Sequence, residues 1–243
     1  MLTKDTAICI KAVDYSETSQ IVTFFTRANG KLAAIAKGSK RPKSAFEGPI
    51  EVFSFGQIVF SQARQRQLAT LTEFEQRCIF AHLRKGLFTL NCSLLATELI
   101  NSLTKEFDPH TGLFDGFVEF LENIQDCPGD NEVLMFLILF QLTLLKETGL
   151  APVLNMCTNC KSRYSASWRQ VYFCSSAGGL ICRNCHGSFA DRVELTTSAA
   201  NCLTELKLIA DADRKTLREI EEVLIYHFTE LLGKPPKMAK YVL

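Results

Sequence analysis

The chain has 243 residues, enough for one large domain or two to three small ones, and its 47% hydrophobic and 22% charged residues are typical of a globular protein. The formal net charge of +1 excludes a strongly basic surface over the whole protein. Locally, residues 1–46 contain eight Lys or Arg against three Asp or Glu, residues 98–150 contain two against ten, and residues 157–193 contain five against one. This alternation of basic, acidic and basic segments indicates regions with separate roles.

The first 75 residues predict five short strands that are rich in β-branched and aromatic residues and are separated by turn signals. We place these strands at residues 6–13, 21–26, 31–37, 50–60 and 68–74. Asn29-Gly30 between two of them is a strong hairpin marker. The pattern favours an oligonucleotide-binding (OB) barrel, and an SH3-like barrel fits the strand count almost as well.

From about residue 76 the apolar residues recur at helical spacing. One predicted helix begins at Asp108-Pro109 and has a single apolar face that ends at Ile124. The other predicted helices cover residues 77–87, 89–107, 131–146, 198–209 and 214–232. The most apolar run, residues 133–145, is shorter than the roughly 18 residues that a membrane span needs, so it indicates a core helix.

Four cysteines form two pairs with the spacing of a zinc site: Cys157 and Cys160, then Cys182 and Cys185. Two residues between thiolates allow a tight turn to direct both sulfurs at one point, and two such turns give the tetrahedral all-sulfur shell of structural Zn²⁺. Cys174 and His186 are spare potential ligands. The amino terminus shows no charged segment followed by an apolar one, so we expect a cytoplasmic protein whose cysteines are reduced.

A run without any acidic residue lies between Glu17 and Glu47. Such a run is often only a solvated loop, but the absence of carboxylates favours a surface that follows the phosphates of DNA. Phe24 and Phe25 are adjacent in a predicted strand and therefore face opposite sides, which favours core packing for each of them. The predicted DNA-binding residues are Arg27, Lys31, Lys37, Lys40, Arg41 and Lys43.

The motifs of common enzyme classes are absent from the sequence, including the phosphate-binding glycine loops, G-x-S-x-G and H-E-x-x-H. A catalytic zinc also needs an open coordination position, which four thiolates do not leave. We therefore expect a protein that is not an enzyme. The predicted fold is α+β and multidomain, with an N-terminal OB-fold β-barrel (residues 1–76) and an α-helical domain (77–243) that is interrupted by a four-cysteine zinc module (154–192).

The order of these segments resembles the RecO family of bacterial recombination mediators over essentially the whole chain. The most specific matching segments are Gly30-Lys31-Leu32, Ala36-Lys37-Gly38, Arg41-Pro42-Lys43-Ser44, Phe53-Ser54-Phe55 and Gly178-Gly179-Leu180-Ile181-Cys182. The resemblance implies an OB-fold domain, structural zinc, binding of single- and double-stranded DNA, and annealing of complementary strands without ATP. It also implies RecR and single-stranded DNA-binding protein (SSB) as partners, RecA loading in the RecF pathway, and a cytoplasmic, nucleoid-associated location.

Two other functions remain open from the sequence. The first is a zinc-stabilised scaffold for protein interactions, in which the basic run only keeps the protein in solution and no annealing occurs. The second is a small zinc hydrolase or deaminase, which would lose turnover when the metal is removed.

Overall fold

The computed structural model describes residues 2–42, 44–46, 48–61 and 68–243. The chain divides into two compact units, each assembled from two segments. The first unit combines Met1–Arg84 with Ile100–Gln125, and the second combines Lys85–Leu99 with Asp126–Leu243. The domain bounds predicted from the sequence remain a prediction.

The first unit contains a closed five-stranded barrel in the order β1-β2-β3-β5-β4. Neighbouring strands are antiparallel except for β3 and β5, which pair in parallel, and β1 closes the barrel by pairing with both β2 and β4. The strands are β1 (Leu2–Asp14), β2 (Gln20–Thr26), β3 (Gly30–Ala36), β4 (Phe55–Ser61) and β5 (Ala69–Arg77). The predicted OB-like barrel is therefore confirmed, with its fourth strand starting five residues later than expected.

The predicted Asn29-Gly30 hairpin joins β2 to β3, and the buried carboxylate of Asp5 organises it. This carboxylate accepts hydrogen bonds from the backbone N–H groups of Ala28 and Asn29, both at 3.0 Å, and from the Asn29 side chain at 2.7 Å. Gly30 adopts φ +70°, and a Cβ there would lie 2.2 Å from the backbone oxygen of Asp108. Glycine is thus required at this position both by the turn and by the close approach.

Alternation along β2 separates two aromatic side chains, as the sequence predicts. Phe24 belongs to the barrel core and packs edge-on against Phe74, with ring centroids 5.2 Å apart. Phe25 faces the other way and packs against Phe114 of α2 (Thr111–Ile124), 5.9 Å away. Both rings are fully buried, so the predicted core packing of each is confirmed.

The second unit is mainly helical, and its centre is α3 (Asp130–Glu147), which packs against α5 (Arg214–Leu232). The shorter α4 (Thr197–Thr204) precedes α5 and is capped by the side chain of Thr196. The remaining long helix, α1 (Leu87–Leu103), contributes its first part to this unit and its end to the first unit. None of the helices in the described residues is long and apolar enough to cross a membrane.

Four of the six predicted helices differ from the structure by more than one residue at an end. The helix expected at 89–107 is α1, which begins at Leu87 and ends at Leu103. Residues 77–87 do not form a helix, because β5 continues through Arg77 in register with β4, and only a 3₁₀ turn (Ala81–Arg84) follows before α1. Helix α2 begins at Thr111 rather than at Pro109. The helix expected at 198–209 ends at Thr204, because Glu205 leaves the helical region at φ −125° and ψ 90°.

Between α3 and α4 lies the four-cysteine module (residues 154–192), which contains two of the three strands of a small antiparallel sheet. The order of this sheet is β7-β6-β8, with β6 (Val171–Cys174), β7 (Gly179–Cys182) and β8 (Arg192–Leu195). The sequence analysis did not predict these strands. Each has only four residues, too few for a clear alternation pattern.

Candidate metal centre and nucleic-acid interface

The four predicted ligands converge, with the Sγ atoms of Cys157, Cys160, Cys182 and Cys185 all within 4.8 Å of one another. The Sγ atoms of Cys160 and Cys182 are 3.7 Å apart. Four sulfurs at about 2.3 Å from a tetrahedral zinc lie about 3.8 Å from one another, so this separation fits the ion. The cluster could therefore hold a metal ion, and its donor set suits zinc.

Backbone hydrogen bonds shape both cysteine turns. In the first turn, Cys157 donates to the carbonyl of Ser162 at 2.8 Å, and Lys161 donates back to the carbonyl of Cys157 at 3.0 Å. In the second turn, Cys185 donates to the carbonyl of Cys182 at 3.0 Å, and the Cys182 N–H points at the Cys157 sulfur, 3.4 Å away. The thiols are thus directed to one point by local backbone geometry.

The pKa values of the thiols differ within the cluster. Hydrogen bonding with Ser162 lowers the pKa of Cys160 to about 6, whereas burial raises the pKa of Cys182 to about 12. Zinc binds thiolates, so the uptake of a metal ion at neutral pH would release a proton from Cys182.

The two spare candidates lie outside the cluster and have other contacts. Cys174 is buried, and its thiol donates to the Asp191 carboxylate at 3.2 Å. His186 stacks on the Tyr172 ring with centroids 4.8 Å apart. Among the described residues, the metal-ligand cluster therefore consists of the four cysteines.

Polar contacts attach the four-cysteine module to α4 and α5. Tyr226 of α5 donates its hydroxyl to the backbone oxygen of Asp191 at 2.6 Å. Burial acts to raise the pKa of Asp191, but hydrogen bonds from Ser176, Cys174 and Tyr226 outweigh it, so this pKa lies well below its usual range. From α4, Asn201 accepts the hydroxyl of Tyr164 at 2.8 Å. These contacts give the module a fixed position within the second unit.

The basic loop (residues 37–44) is anchored to the barrel by a buried polar network. Ser39 is fully buried and donates its hydroxyl to Gln20 Oε1 at 3.0 Å. The same Gln20 side chain accepts from Ile50 N at 2.9 Å and donates to Ile50 O at 3.2 Å. The buried Ser39 hydroxyl and the paired Gln20 amide therefore fix the path of the loop at Ser39.

The loop presents two exposed cations among its described residues, Lys37 and Arg41. The Arg41 N–H closes a turn onto the Gly38 carbonyl at 3.0 Å, and the Arg41 side chain lies over Gly38. Neither Lys37 nor Arg41 forms an ion pair with a described carboxylate. Lys43, which the sequence also predicts to contact DNA, lies outside the described residues.

Two other predicted contacts are engaged within the first unit. The Arg27 guanidinium forms two hydrogen bonds of 2.8 Å to Asp115 of α2, which lower the pKa of that carboxyl. Lys31 donates from Nζ to the carbonyls of Asn101 at 2.5 Å and Thr104 at 2.7 Å, and burial lowers its pKa. Lys31 therefore caps the end of α1, where free carbonyls favour a cation.

An exposed aromatic residue, Tyr15, lies beside the basic loop in the β1–β2 turn and was missed by the sequence analysis. Its side chain is 63% exposed. The loop is tied to this turn, because Lys40 Nζ lies 2.7 Å from Asp14 Oδ2 and the Lys40 N–H donates to the Thr18 carbonyl at 3.1 Å. The available signal was an aromatic residue inside a polar turn, where no core can receive it.

The fold and the two sites define a class: a protein with an OB-like barrel, a basic loop anchored to it, and a helical unit whose four-cysteine cluster could hold a metal ion. Comparison with known proteins specifies the family. A model described as "Recombination protein O N terminal" matches residues 1–80, and one described as "Recombination protein O C terminal" matches residues 84–240.

Individual relatives agree with these models. The chain is 34% identical over 206 residues to the DNA repair protein RecO of Alkaliphilus metalliredigens, covering 84% of this chain and 81% of that one. It is 28% identical over 249 residues to the DNA repair protein RecO of Bacillus subtilis, covering 100% and 94%. The chain belongs to the RecO family of DNA repair proteins, and the predicted family resemblance is confirmed.

Proposed function

We propose that this protein is a DNA-binding recombination and repair mediator that anneals complementary strands without ATP. The observation that carries the proposal is the basic loop, whose buried Ser39 anchor holds Lys37 and Arg41 on the surface. A fixed loop presents its charges without a further loss of conformational entropy when DNA binds. Family membership supports the repair role.

The contacts that we assign to DNA divide into phosphate and base contacts. Lys37 and Arg41 neutralise phosphates, and Lys40 joins them by exchanging its ion pair with Asp14 for a phosphate. Two negatively charged strands can then approach on one surface and pair. The exposed ring of Tyr15 adds a stacking surface next to them, in the loop position through which OB folds contact oligonucleotides. Arg27 and Lys31 lie on the same barrel, but their side chains serve contacts within the protein.

The metal that we propose for the four-cysteine cluster is a structural zinc ion. Four thiolates close its coordination shell, so the ion would join the two cysteine turns rather than activate a substrate. We accordingly propose that the protein is not an enzyme. An activity that requires the metal for turnover is the competing function, and four sulfur ligands with no open position disfavour it.

The partners in this proposal follow from the family: single- and double-stranded DNA, RecR, SSB through its acidic tail, and indirectly RecA. In this role the protein would work in the cytoplasm at the nucleoid, helping RecR to load RecA on SSB-coated DNA. The alternative is a zinc-stabilised scaffold for protein interactions without annealing activity, in which the basic loop only keeps the protein in solution.

The proposal predicts a steep dependence of DNA affinity on salt. If about four to six phosphates are contacted, the slope of log affinity against log salt is roughly −3 to −5. Replacing Lys37, Lys40 and Arg41 with Ala makes the slope shallower by about two to three units and weakens binding to all sequences alike. The measurement is oligonucleotide anisotropy over a range of salt concentrations.

A matched control removes three exposed cations elsewhere, Arg214, Lys215 and Arg218 at the start of α5. This control should keep the wild-type slope. An unchanged slope in the basic-loop variant would place the phosphate contacts on another surface.

A further inference from the structure

A cleft of about 220 Å³ opens beside the metal cluster on the four-cysteine module. The Trp168 ring and the guanidinium groups of Arg169 and Arg183 line it. The other lining residues are Ser162, Gln170, Asn184 and the candidate metal ligand Cys182. Pockets that enclose a drug-sized ligand measure about 300 to 1,000 Å³, so this cleft suits a single flat ring. We call it the Trp168 cleft.

The Trp168 ring is held in place from behind. It is half-buried, packs against the cluster formed by Cys157, Cys182 and their neighbours, and meets the Tyr164 ring edge-on at 5.4 Å. Tyr164 is itself fixed by its hydrogen bond to Asn201. A ring that is already ordered stacks on a ligand at little cost in side-chain entropy.

Arg169 and Arg183 are exposed, and neither forms an ion pair with a carboxylate among the described residues. Residues 157–193 carry five Lys or Arg against one acidic residue. A four-thiolate zinc site carries a formal charge of −2, which leaves this segment positive when the metal is counted. The cleft therefore attracts an anionic ligand.

We propose that the Trp168 cleft binds one nucleotide of single-stranded DNA, with the base against Trp168 and the phosphate on Arg169 and Arg183. The proposal rests on the DNA-binding function proposed above and adds a second contact to it, on the other unit. Gln170 and Asn184 supply hydrogen-bonding groups for the edge of an unpaired base. An acidic peptide would use the guanidinium groups but not the flat ring, and duplex DNA keeps its bases stacked away from such a surface.

The chain contains a single tryptophan, so emission that is excited at a wavelength where tyrosine does not absorb reports on this cleft alone. The experiment titrates the full-length, zinc-loaded protein with a fluorescein-labelled oligothymidylate. Anisotropy of the label follows total binding, while Trp168 emission, recorded with the unlabelled oligonucleotide, follows the cleft. We expect binding to be accompanied by quenching of Trp168, and a blunt duplex of equal length to bind without quenching.

Two variants separate the cleft from general electrostatics. Arg169→Ala with Arg183→Ala should abolish most of the quenching and lower affinity for the single strand by roughly 5- to 50-fold, with little change for the duplex. Arg214→Ala with Arg218→Ala removes the same charge from α5 and should retain the quenching. Trp168→Leu tests the ring and should lower affinity for the single strand alone, with circular dichroism as the check on folding.

The outcomes separate this proposal from the DNA-binding function. Binding with unchanged Trp168 emission would overturn the cleft and leave the basic loop as the DNA site. Quenching by a Glu-rich peptide but not by the oligonucleotide would also overturn it, in favour of a peptide site. Absence of any anisotropy change would overturn both proposals.

Discussion

Glu221 is a buried acidic residue in the middle of α5, only 1% exposed, that packs against Gln141 of α3. The Gln141 amide donates to Glu221 Oε1 at 2.9 Å, and Glu221 Oε2 has no described partner. Burial raises the pKa of this carboxyl from 4.5 to about 7, against the smaller lowering effect of Gln141. At neutral pH the group is therefore close to its midpoint of protonation.

The Glu221 carboxyl predicts a pH-dependent stability of the second unit. Because the pKa of Glu221 is higher in the folded state, protonation of this carboxyl stabilises the folded protein. This contribution to the free energy of unfolding is complete below the unfolded pKa of 4.5 and is lost as pH rises through about 7. The free energy of unfolding should fall by roughly 1 to 3 kcal/mol between pH 5 and pH 8. In Glu221→Gln most of this fall should disappear, so that the variant is the more stable protein at pH 8.

Urea unfolding of the second unit at several pH values measures this effect. Glu222→Gln provides the matched control, because Glu222 is the exposed neighbour on the same helix and should keep the wild-type pH dependence. Parallel curves for wild type and Glu221→Gln would show that the buried carboxyl does not titrate in this range.

The roles of some single residues could be predicted from the sequence, and those of others could not. Lys31 belongs to a basic run, so its composition indicated DNA, whereas the structure places its ammonium on carbonyls 70 and 73 residues away. Such a contact exists only after the tertiary fold has formed, and a local pattern cannot reveal it. The strand faces of Phe24 and Phe25 could be predicted because alternation is a local property.

At the scale of elements, the cysteine pairs were identifiable because two-residue spacing determines the turn that joins each pair. The helix predicted at 77–87 is wrong because a long-range contact, and not the local spacing, decides the structure there. The apolar spacing there was compatible with a helix, but pairing of Arg77 with Phe55 extends β5 and leaves too few residues before α1. Long-range strand pairing overrides a local helical pattern.

We expect metal removal to loosen the four-cysteine module and leave the barrel unchanged. If zinc joins the two cysteine turns, chelation should leave β6 and β7 without this link, and their amide hydrogens should exchange roughly tenfold faster or more. The barrel strands, which belong to the other unit, should keep their protection. Hydrogen exchange followed by mass spectrometry measures both regions in one experiment.

Substitutions provide the control for chelation. Cys182→Ser should reproduce the faster exchange, whereas Cys78→Ser, at an exposed cysteine outside the cluster, should not. Restoring zinc should restore protection in the wild type and in Cys78→Ser, but not in Cys182→Ser. Protection of β6 and β7 that survives metal removal would contradict a structural role for the ion.

At the scale of the whole molecule, the basic, acidic and basic segments of the sequence take on distinct structural roles. The first basic segment supplies β1, β2, β3 and the basic loop of the barrel, and the second supplies the four-cysteine module with the Trp168 cleft. Charge counts could identify these segments, but not the Gln20–Ser39 network that fixes the loop, because its partners lie 19 residues apart. The sequence thus predicts a basic surface for DNA, and in the structure Lys37 and Arg41 of that surface are exposed.

Annealing of two complementary oligonucleotides without nucleotide, with and without SSB coating the DNA, tests the central claim most directly. The wild-type protein should accelerate annealing, and replacement of Lys37, Lys40 and Arg41 with Ala should reduce that acceleration by roughly tenfold or more. The Arg214, Lys215 and Arg218 variant should anneal like the wild type. Annealing at the wild-type rate by the basic-loop variant, or no acceleration by the wild type, would contradict this account.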